Sequence, residues 1–273
     1  MPGDALLFSA VAVFSGYALY ASLLYLVGGA REREEARRAA EKAVVSALLF
    51  ALAFTIGGLV GQAASIYAKA AGLQSAACLS EFGGGADIYK YIEAGRKALA
   101  CAAATYRQYF DNLSDTLAWL YGVTTATGIP IITSPYSAGL FQVSLPFSTA
   151  ATSALAALGA AEAAAYVAQG FLALAPLGAL LVAFERTRNW GALLLGAAAS
   201  LPPSLAGGAD ALRAFVEPPV LRLEYVDWGG VVKAAGSASA IAVVVTLALG
   251  VASAATYAAS RAFDEVGAHL SVE

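Results

Sequence analysis

The sequence predicts an all-α fold: a polytopic helical membrane protein with about five transmembrane helices, or six or seven, and a large external loop that is partly helical. Hydrophobic residues make up 59% of the 273 residues and charged residues only 13%. A soluble chain of this length could not cover so much apolar surface. Uncharged runs of more than 20 residues also recur along the chain, and about 20 helical residues cross a hydrocarbon core.

The predicted spans follow these apolar runs. A cleavable signal peptide has basic residues before its apolar run, and none precede the first apolar run here. We therefore expect that run to remain as an anchor. The predicted spans are residues 5–28, 43–65, 166–184, 191–206 and 234–259.

The first connection, residues 29–42, carries five basic residues between Arg31 and Lys42. Oppositely charged pairs at i, i+4 spacing, such as Glu34 with Arg38 and Arg37 with Glu41, predict that the helix continues into water. We expect this segment to be cytoplasmic, because basic residues near span ends concentrate on that side. The same rule predicts an external N-terminus and a cytoplasmic C-terminus, although a simple count gives eight basic residues on each side.

Three segments are predicted to break the helical pattern. Residues 148–184 hold a single charge and would form a helix of about 55 Å. We therefore expect a helix over residues 149–165 that lies outside the membrane or at its interface, before the third span, with Gly170 and Pro176 as candidate kinks. The Pro202-Pro203 pair is expected to loosen or stop the fourth span. A second external loop, residues 207–230, follows it and contains the short alternating segment 220–226.

The large external region, residues 66–147, carries both cysteines. Cys78 and Cys101 form a disulfide in an oxidising compartment, or else remain two small buried thiols. Asn112 begins an Asn-Leu-Ser glycosylation pattern. The apolar, proline-broken part, residues 117–147, predicts a re-entrant or interfacial segment, since irregular backbone at membrane depth needs protein or a watery cavity around it.

Polar side chains in two places are candidates for function. Basic residues interleaved with tyrosines suit contact with DNA or a partner, by phosphate pairing and base stacking; an ordinary amphipathic external helix is the alternative. The candidate contact residues are Lys90, Arg96, Lys97, Arg107, Tyr106 and Tyr109. Glu162 interrupts a long apolar run and marks either an intramembrane polar site or a solvated position on an external helix.

Motifs for catalysis are missing from the sequence. It holds no Gly-x-x-x-x-Gly-Lys-Ser/Thr loop, no Gly-x-Ser-x-Gly elbow and no His-Glu-x-x-His pair. With two cysteines and one histidine, the sequence also offers no recognisable zinc or iron-sulfur site. The sequence therefore predicts neither an enzyme nor a cofactor-binding protein, and any energy must come from a partner or a gradient.

The predicted chain has two spans, a large external loop and three further spans, with the turn Glu185 to Trp190 after the third. This layout resembles that of the CedA-like DNA-import membrane proteins of archaea. These are relatives of the TrbL/VirB-type polytopic component of conjugative type IV secretion systems. The resemblance covers most of the chain as topology, and at residue level only the region from Arg186 to Trp190.

The resemblance implies an oligomeric channel or platform in the cell membrane through which single-stranded DNA is imported. It also implies a separate ATPase motor and small pilin-like membrane proteins as partners, with Arg186, Arg188 and Trp190 as a cytoplasmic contact. The alternatives are an ion-coupled permease for small solutes, centred on Glu162, and a non-conducting scaffold for a surface filament.

Overall fold

The computed structural model describes residues 2–70, 77–84, 88–127, 134–182, 184–217 and 228–271. Within these ranges the chain is helical and contains no strand, which confirms the all-α prediction. The elements are α1 (Pro2–Val27), α2 (Ala30–Ala70), the short 3₁₀ helix η1 (Leu79–Gly84), α3 (Ile88–Thr127), α4 (Ser134–Val182), α5 (Arg188–Phe215) and α6 (Trp228–Ser271).

Four helical stretches of the described chain are long and apolar enough to cross a membrane: Ala30–Ala70, Phe147–Val182, Arg188–Phe215 and Val231–His269. They correspond to the second to fifth predicted spans, so the chain has the build of a helical membrane protein. The first predicted span falls in α1, a helix of 26 residues that is not among these four stretches. The number of spans stays a prediction.

Helix α5 lies at the centre of the bundle. Its most apolar 18-residue stretch is 72% buried within the chain, more than in the other three candidate spans. Glycines let its neighbours approach closely. A methyl group on Gly196 would lie 2.7 Å from the backbone nitrogen of Ser260, and one on Gly208 would lie 2.5 Å from the side chain of Ala248. These two contacts make α6 antiparallel to α5.

We refer to the two ends of the bundle by the ends of α5, as the Arg188 end and the Phe215 end. An ion pair between Arg188 and Asp264, 3.0 Å apart, joins α5 to α6 at the Arg188 end. The disulfide between Cys78 and Cys101 lies toward the Phe215 end, because the backbone of Cys78 contacts Asp210.

The charged segment is helical as predicted, but it forms the start of α2 and does not continue the helix of the first predicted span, because α1 ends at Val27. Residues 30–42 are helical, and Arg38 pairs with Glu34 at 3.0 Å and Arg37 with Glu41 at 3.2 Å. All four side chains are more than half exposed.

The structure departs from the predicted breaks in three places. Residues 117–127 continue α3, and α4 begins at Ser134, so the described part of 117–147 is regular helix rather than a broken segment. Helix α4 also runs without interruption through Gly170 and Pro176. Helix α5 passes through the proline pair to Phe215, so the start of the predicted loop 207–230 is helical. Residues 220–226 lie outside the described residues.

Candidate functional site

Helix α3 carries one continuous face of exposed residues, spaced three or four apart, from its first turn onward. We call this face the α3 stripe. It consists of Lys90, Glu93, Lys97, Ala100, Ala104, Arg107, Asp111 and Asp115. Six of these eight residues are charged, three of each sign, and none is a large apolar residue. Such a face is suited to water and not to lipid tails.

The opposite face of α3 is packed against the bundle. Its largest fully buried residues are Tyr91, Ile92, Leu99, Tyr106, Leu113 and Leu120. Helix α3 is therefore strongly amphipathic, with a buried apolar face and an exposed charged face along the same helix.

Three tyrosine hydroxyl groups fasten α3 to the backbone of α5. Tyr91 donates to the carbonyl oxygen of Ala199 at 2.8 Å, Tyr106 to that of Leu205 at 3.0 Å and Tyr109 to that of Val216 at 2.7 Å. The acceptors advance along α5 as the donors advance along α3. The two helices are therefore parallel, and α3 begins beside the middle of α5.

The proline pair of α5 explains the position of Tyr91. In a regular helix the N–H groups of residues 202 and 203 would donate to the carbonyls of Ala198 and Ala199, but proline has no N–H. The Tyr91 hydroxyl lies 3.2 Å from the Ala198 oxygen and 2.8 Å from the Ala199 oxygen. The single hydroxyl hydrogen of Tyr91 is thus shared between the two carbonyls, with the shorter contact to Ala199, and α5 continues as a helix.

Contacts with two candidate spans place the start of α3 at the level of their apolar stretches. A methyl group on Gly57 would lie 2.7 Å from the Tyr91 hydroxyl oxygen, so the end of Tyr91 rests on α2 inside its uncharged run 43–65. A methyl group on Gly95 would lie 3.4 Å from the side chain of Leu172 on α4. Leu172 is near the middle of the run between Glu162 and Glu185, which holds no charged residue.

The short helix η1 approaches the same depth from the Phe215 end. The backbone N–H groups of Cys78 and Leu79 donate to the carboxylate of Asp210 at 3.0 and 2.8 Å. The Cys78–Cys101 disulfide ties the same residue to α3. Further along η1, the Phe82 ring rests against Gly61 of α2, where a methyl group would lie 2.7 Å from the ring. Helix η1 and the start of α3 therefore both lie beside the candidate spans.

A polar cavity of about 160 Å³ lies where η1, α2 and α3 meet. Four charged residues line it, Glu81, Lys90, Glu93 and Lys97, together with Gly58 of α2. Lys69, the first charged residue of α2 after Gly58, is eleven residues further along, which is about 16 Å of helix. The charged groups therefore occupy the depth of the candidate spans, and charged groups at that depth normally face water or protein partners.

The charges of the stripe are largely paired within α3. Lys97 lies 2.9 Å from Glu93, and Arg107 lies 3.1 Å from Asp111. Arg107 also faces Glu162 of α4 at 3.9 Å, and the Glu162 side chain is 17% exposed. Glu162 is thus a half-buried partner at the edge of the stripe.

The structure brings some of the predicted contact residues together and separates others. Lys90, Lys97 and Arg107 lie on the α3 stripe, and Arg96 is half-buried beside it. Tyr106 and Tyr109 lie on the opposite face, at 0% and 5% exposure, where their hydroxyls bind α5. In the single chain the tyrosine rings are therefore not exposed for base stacking.

The residues of the turn at the Arg188 end also differ in their exposure. Arg186 and Trp190 are exposed, and Trp190 has 68% of its surface accessible. Arg188 is half-buried and holds Asp264 of α6. Its position gives Arg188 a structural contact within the chain, while the other two side chains face outward.

Two important residues were not identified from the sequence. Asp210 is 1% exposed and accepts backbone hydrogen bonds from η1, yet its position after the expected end of the fourth span suggested an ordinary loop residue. Tyr91 is one of several tyrosines in residues 66–147 and belongs to no recognisable motif. A usable signal for Tyr91 was the proline pair itself, since two freed carbonyls inside an apolar helix require a donor.

No group of three histidine, cysteine, aspartate or glutamate residues suited to a metal ion occurs among the residues described. No family model, curated protein or solved structure matches this chain.

Proposed function

We propose that this chain is a subunit of a membrane conduit for a polar substrate, and that the α3 stripe forms part of the wall of that conduit. The single observation that supports the proposal is the presence of exposed, charged residues of α3 at the depth of the apolar candidate spans. Lipid tails cannot solvate these groups, so they face water or a protein partner, and we propose that they face water.

Among polar substrates, we propose single-stranded DNA, imported across the cell membrane. The topological resemblance to CedA-like proteins supports this choice. The balanced charges of the stripe are compatible with it, because a conduit must bind its substrate weakly enough to release it. The sequence has no phosphate-binding loop of its own, so a separate ATPase supplies the force, and pilin-like membrane proteins are the proposed further partners.

DNA transfer between cells tests the proposal. Deleting the gene should abolish uptake. A chain carrying Glu93→Leu and Lys97→Leu should fail to restore it, because two leucines would remove the paired charges that hold water at this depth. The matched control is Glu217→Leu with Lys233→Leu, an exposed ion pair of similar length at 3.0 Å that joins the end of α5 to α6, away from the stripe.

The outcomes separate the candidate functions. Normal uptake after deletion would overturn the proposal altogether. If the Glu93/Lys97 variant restores uptake as well as the unaltered chain does, the protein is a scaffold and the stripe is not a wall of the path. The permease hypothesis has one specific point in its favour, the half-buried Glu162 beside Arg107. Under that hypothesis Glu162→Gln should abolish solute flux.

A further inference from the structure

A groove on the outside of the bundle follows α5 between α2 and α6, and we call it the tail groove. It has a volume of about 530 Å³ and extends from Pro203 to Phe215 of α5. Small residues of α5 line it, namely Gly207, Gly208 and Ala211. Pockets that hold small-molecule ligands enclose roughly 300–1,000 Å³, so the tail groove is large enough for a ligand.

Two neighbouring glycines show why the tail groove is open. A methyl group on Gly208 would lie 2.5 Å from the side chain of Ala248, so α5 and α6 are in close contact there. A methyl group on Gly207 would lie 3.9 Å from the side chain of Leu79, the nearest described atom outside its own helix. The groove therefore lies over the Gly207 side of α5, where the described neighbours leave space.

The lining and the length of the tail groove indicate what occupies it. Its walls include Leu247 and Val251, which are 64% and 61% exposed, and they belong to three candidate spans. From Pro203 to Phe215 the helix rises by about 18 Å, whereas one leaflet is about half of a hydrocarbon core of roughly 30 Å. A single lipid tail matches this length, and a spanning helix of another protein would be about twice as long.

A second cavity adjoins the tail groove at Phe215, which lines both, and we call it the head cavity. Its volume is also about 530 Å³, and its polar lining comes from Arg213, Glu217 and Ser237. These residues lie just beyond the predicted fourth span, 191–206, and at the start of the predicted fifth, 234–259. The head cavity is therefore at the level where lipid headgroups are expected.

The charges around the head cavity favour an anion. Lys233 lies 3.0 Å from Glu217, so these two exposed charges offset each other. The carboxylate of Asp210 already accepts the backbone N–H groups of η1. Arg213 is half-buried, and the Cys101 sulfur, 3.9 Å from its guanidinium, is a weak acceptor that engages one of its several N–H donors. A phosphate suits such a group, because guanidinium can bind two of its oxygens at once.

We propose that the two cavities together bind one phospholipid of the leaflet at the Phe215 end, with a hydrocarbon tail in the tail groove and the phosphate on Arg213. Apolar contact alone gives a lipid little preference for this groove over the surrounding membrane, because lipid tails are as apolar as leucine. The charge-assisted contact with Arg213 therefore holds the lipid in place. The proposal does not rest on the conduit, because no residue of the α3 stripe lines either cavity.

The first experiment is native mass spectrometry of the full chain, purified from its membranes and exchanged into fresh detergent. We expect the parent chain to retain one phospholipid. Ala211→Phe, which fills the tail groove, and Arg213→Gln, which removes the charge, should lose it, whereas Arg213→Lys should keep it. The matched controls are Ala163→Phe, at an exposed position of α4, and Arg38→Gln, in the exposed charged segment of α2. Both controls should retain the lipid.

The second experiment is titration of the delipidated chain with phosphatidylglycerol and with a diacylglycerol that has the same tails, followed by thermal unfolding. Phosphatidylglycerol should raise the unfolding temperature and diacylglycerol should not. Arg213→Gln should raise the apparent Kd for phosphatidylglycerol about tenfold, the loss expected for one charge-assisted hydrogen bond.

Several outcomes would overturn the proposal. A parent chain that carries no phospholipid, or that carries another protein instead, would show that the cavities have a different occupant. Retention of the lipid by Ala211→Phe or Arg213→Gln would place it elsewhere on the surface. Equal loss from Ala163→Phe would show that the lipid binds without a defined site, and equal stabilisation by diacylglycerol would remove the role of the phosphate. None of these results depends on DNA uptake, so they leave the test of the proposed function unaffected.

Discussion

The hydroxyl group of Tyr91 shares its one hydrogen between the two backbone carbonyls whose N–H donors Pro202 and Pro203 remove from α5. Removing it with Tyr91→Phe keeps the ring but leaves the carbonyls of Ala198 and Ala199 without a donor. We expect a loss of about 1–3 kcal/mol in the free energy of unfolding, the cost of an unsatisfied buried polar group. Thermal unfolding in detergent micelles measures it, with Tyr67→Phe as the control because that side chain is 76% exposed.

A double-mutant cycle identifies the cause of the loss at the same residue. In a chain carrying Pro202→Ala and Pro203→Ala, the helix regains both N–H donors, so Tyr91→Phe should cost much less there than in the parent chain. Equal costs in the two backgrounds would show that Tyr91 stabilises the protein by packing against Gly57 and not by donating to the carbonyls.

At the scale of elements, η1 is held by two independent connections, the Cys78–Cys101 disulfide and the Asp210 carboxylate. The disulfide closes a loop with a sequence separation of 23, so the chain-entropy model predicts that Cys78→Ala with Cys101→Ala costs about 3 kcal/mol. Denaturant unfolding of the variant and of the oxidised parent measures this difference. An unchanged unfolding free energy would mean that Asp210 alone positions η1. The matched comparison is Asp210→Asn with the disulfide intact, which weakens only the carboxylate connection.

An element could be predicted from the sequence when the residues that determine it are close together in the chain. The uncharged runs and the paired charges of residues 31–42 are local patterns, and the corresponding helices were predicted. The course of α5 through its prolines was not, because the compensating donor, Tyr91, is 107 residues away from Ala198 in the chain. The position of α3 was missed for a similar reason. Its charged face is typical of an external helix, and only contacts with Gly57 and Leu172 place its start beside the apolar stretches of two candidate spans.

For the whole molecule, the two ends of the bundle must face opposite compartments if the candidate spans cross the membrane. Lys42 lies over the ring of Phe184, 5.0 Å from its centroid, so the basic segment 31–42 ends at the Arg188 end of the bundle. Basic residues favour the cytoplasm for that end, so we expect the Phe215 end to be external. Ala214 and Glu185 are exposed residues near the two ends of α5. A membrane-impermeant thiol reagent added to intact cells should label Ala214→Cys, and it should label Glu185→Cys only after permeabilisation. The reverse pattern would invert the orientation, move the Cys78–Cys101 disulfide to the cytoplasmic side and argue against import from the Phe215 end.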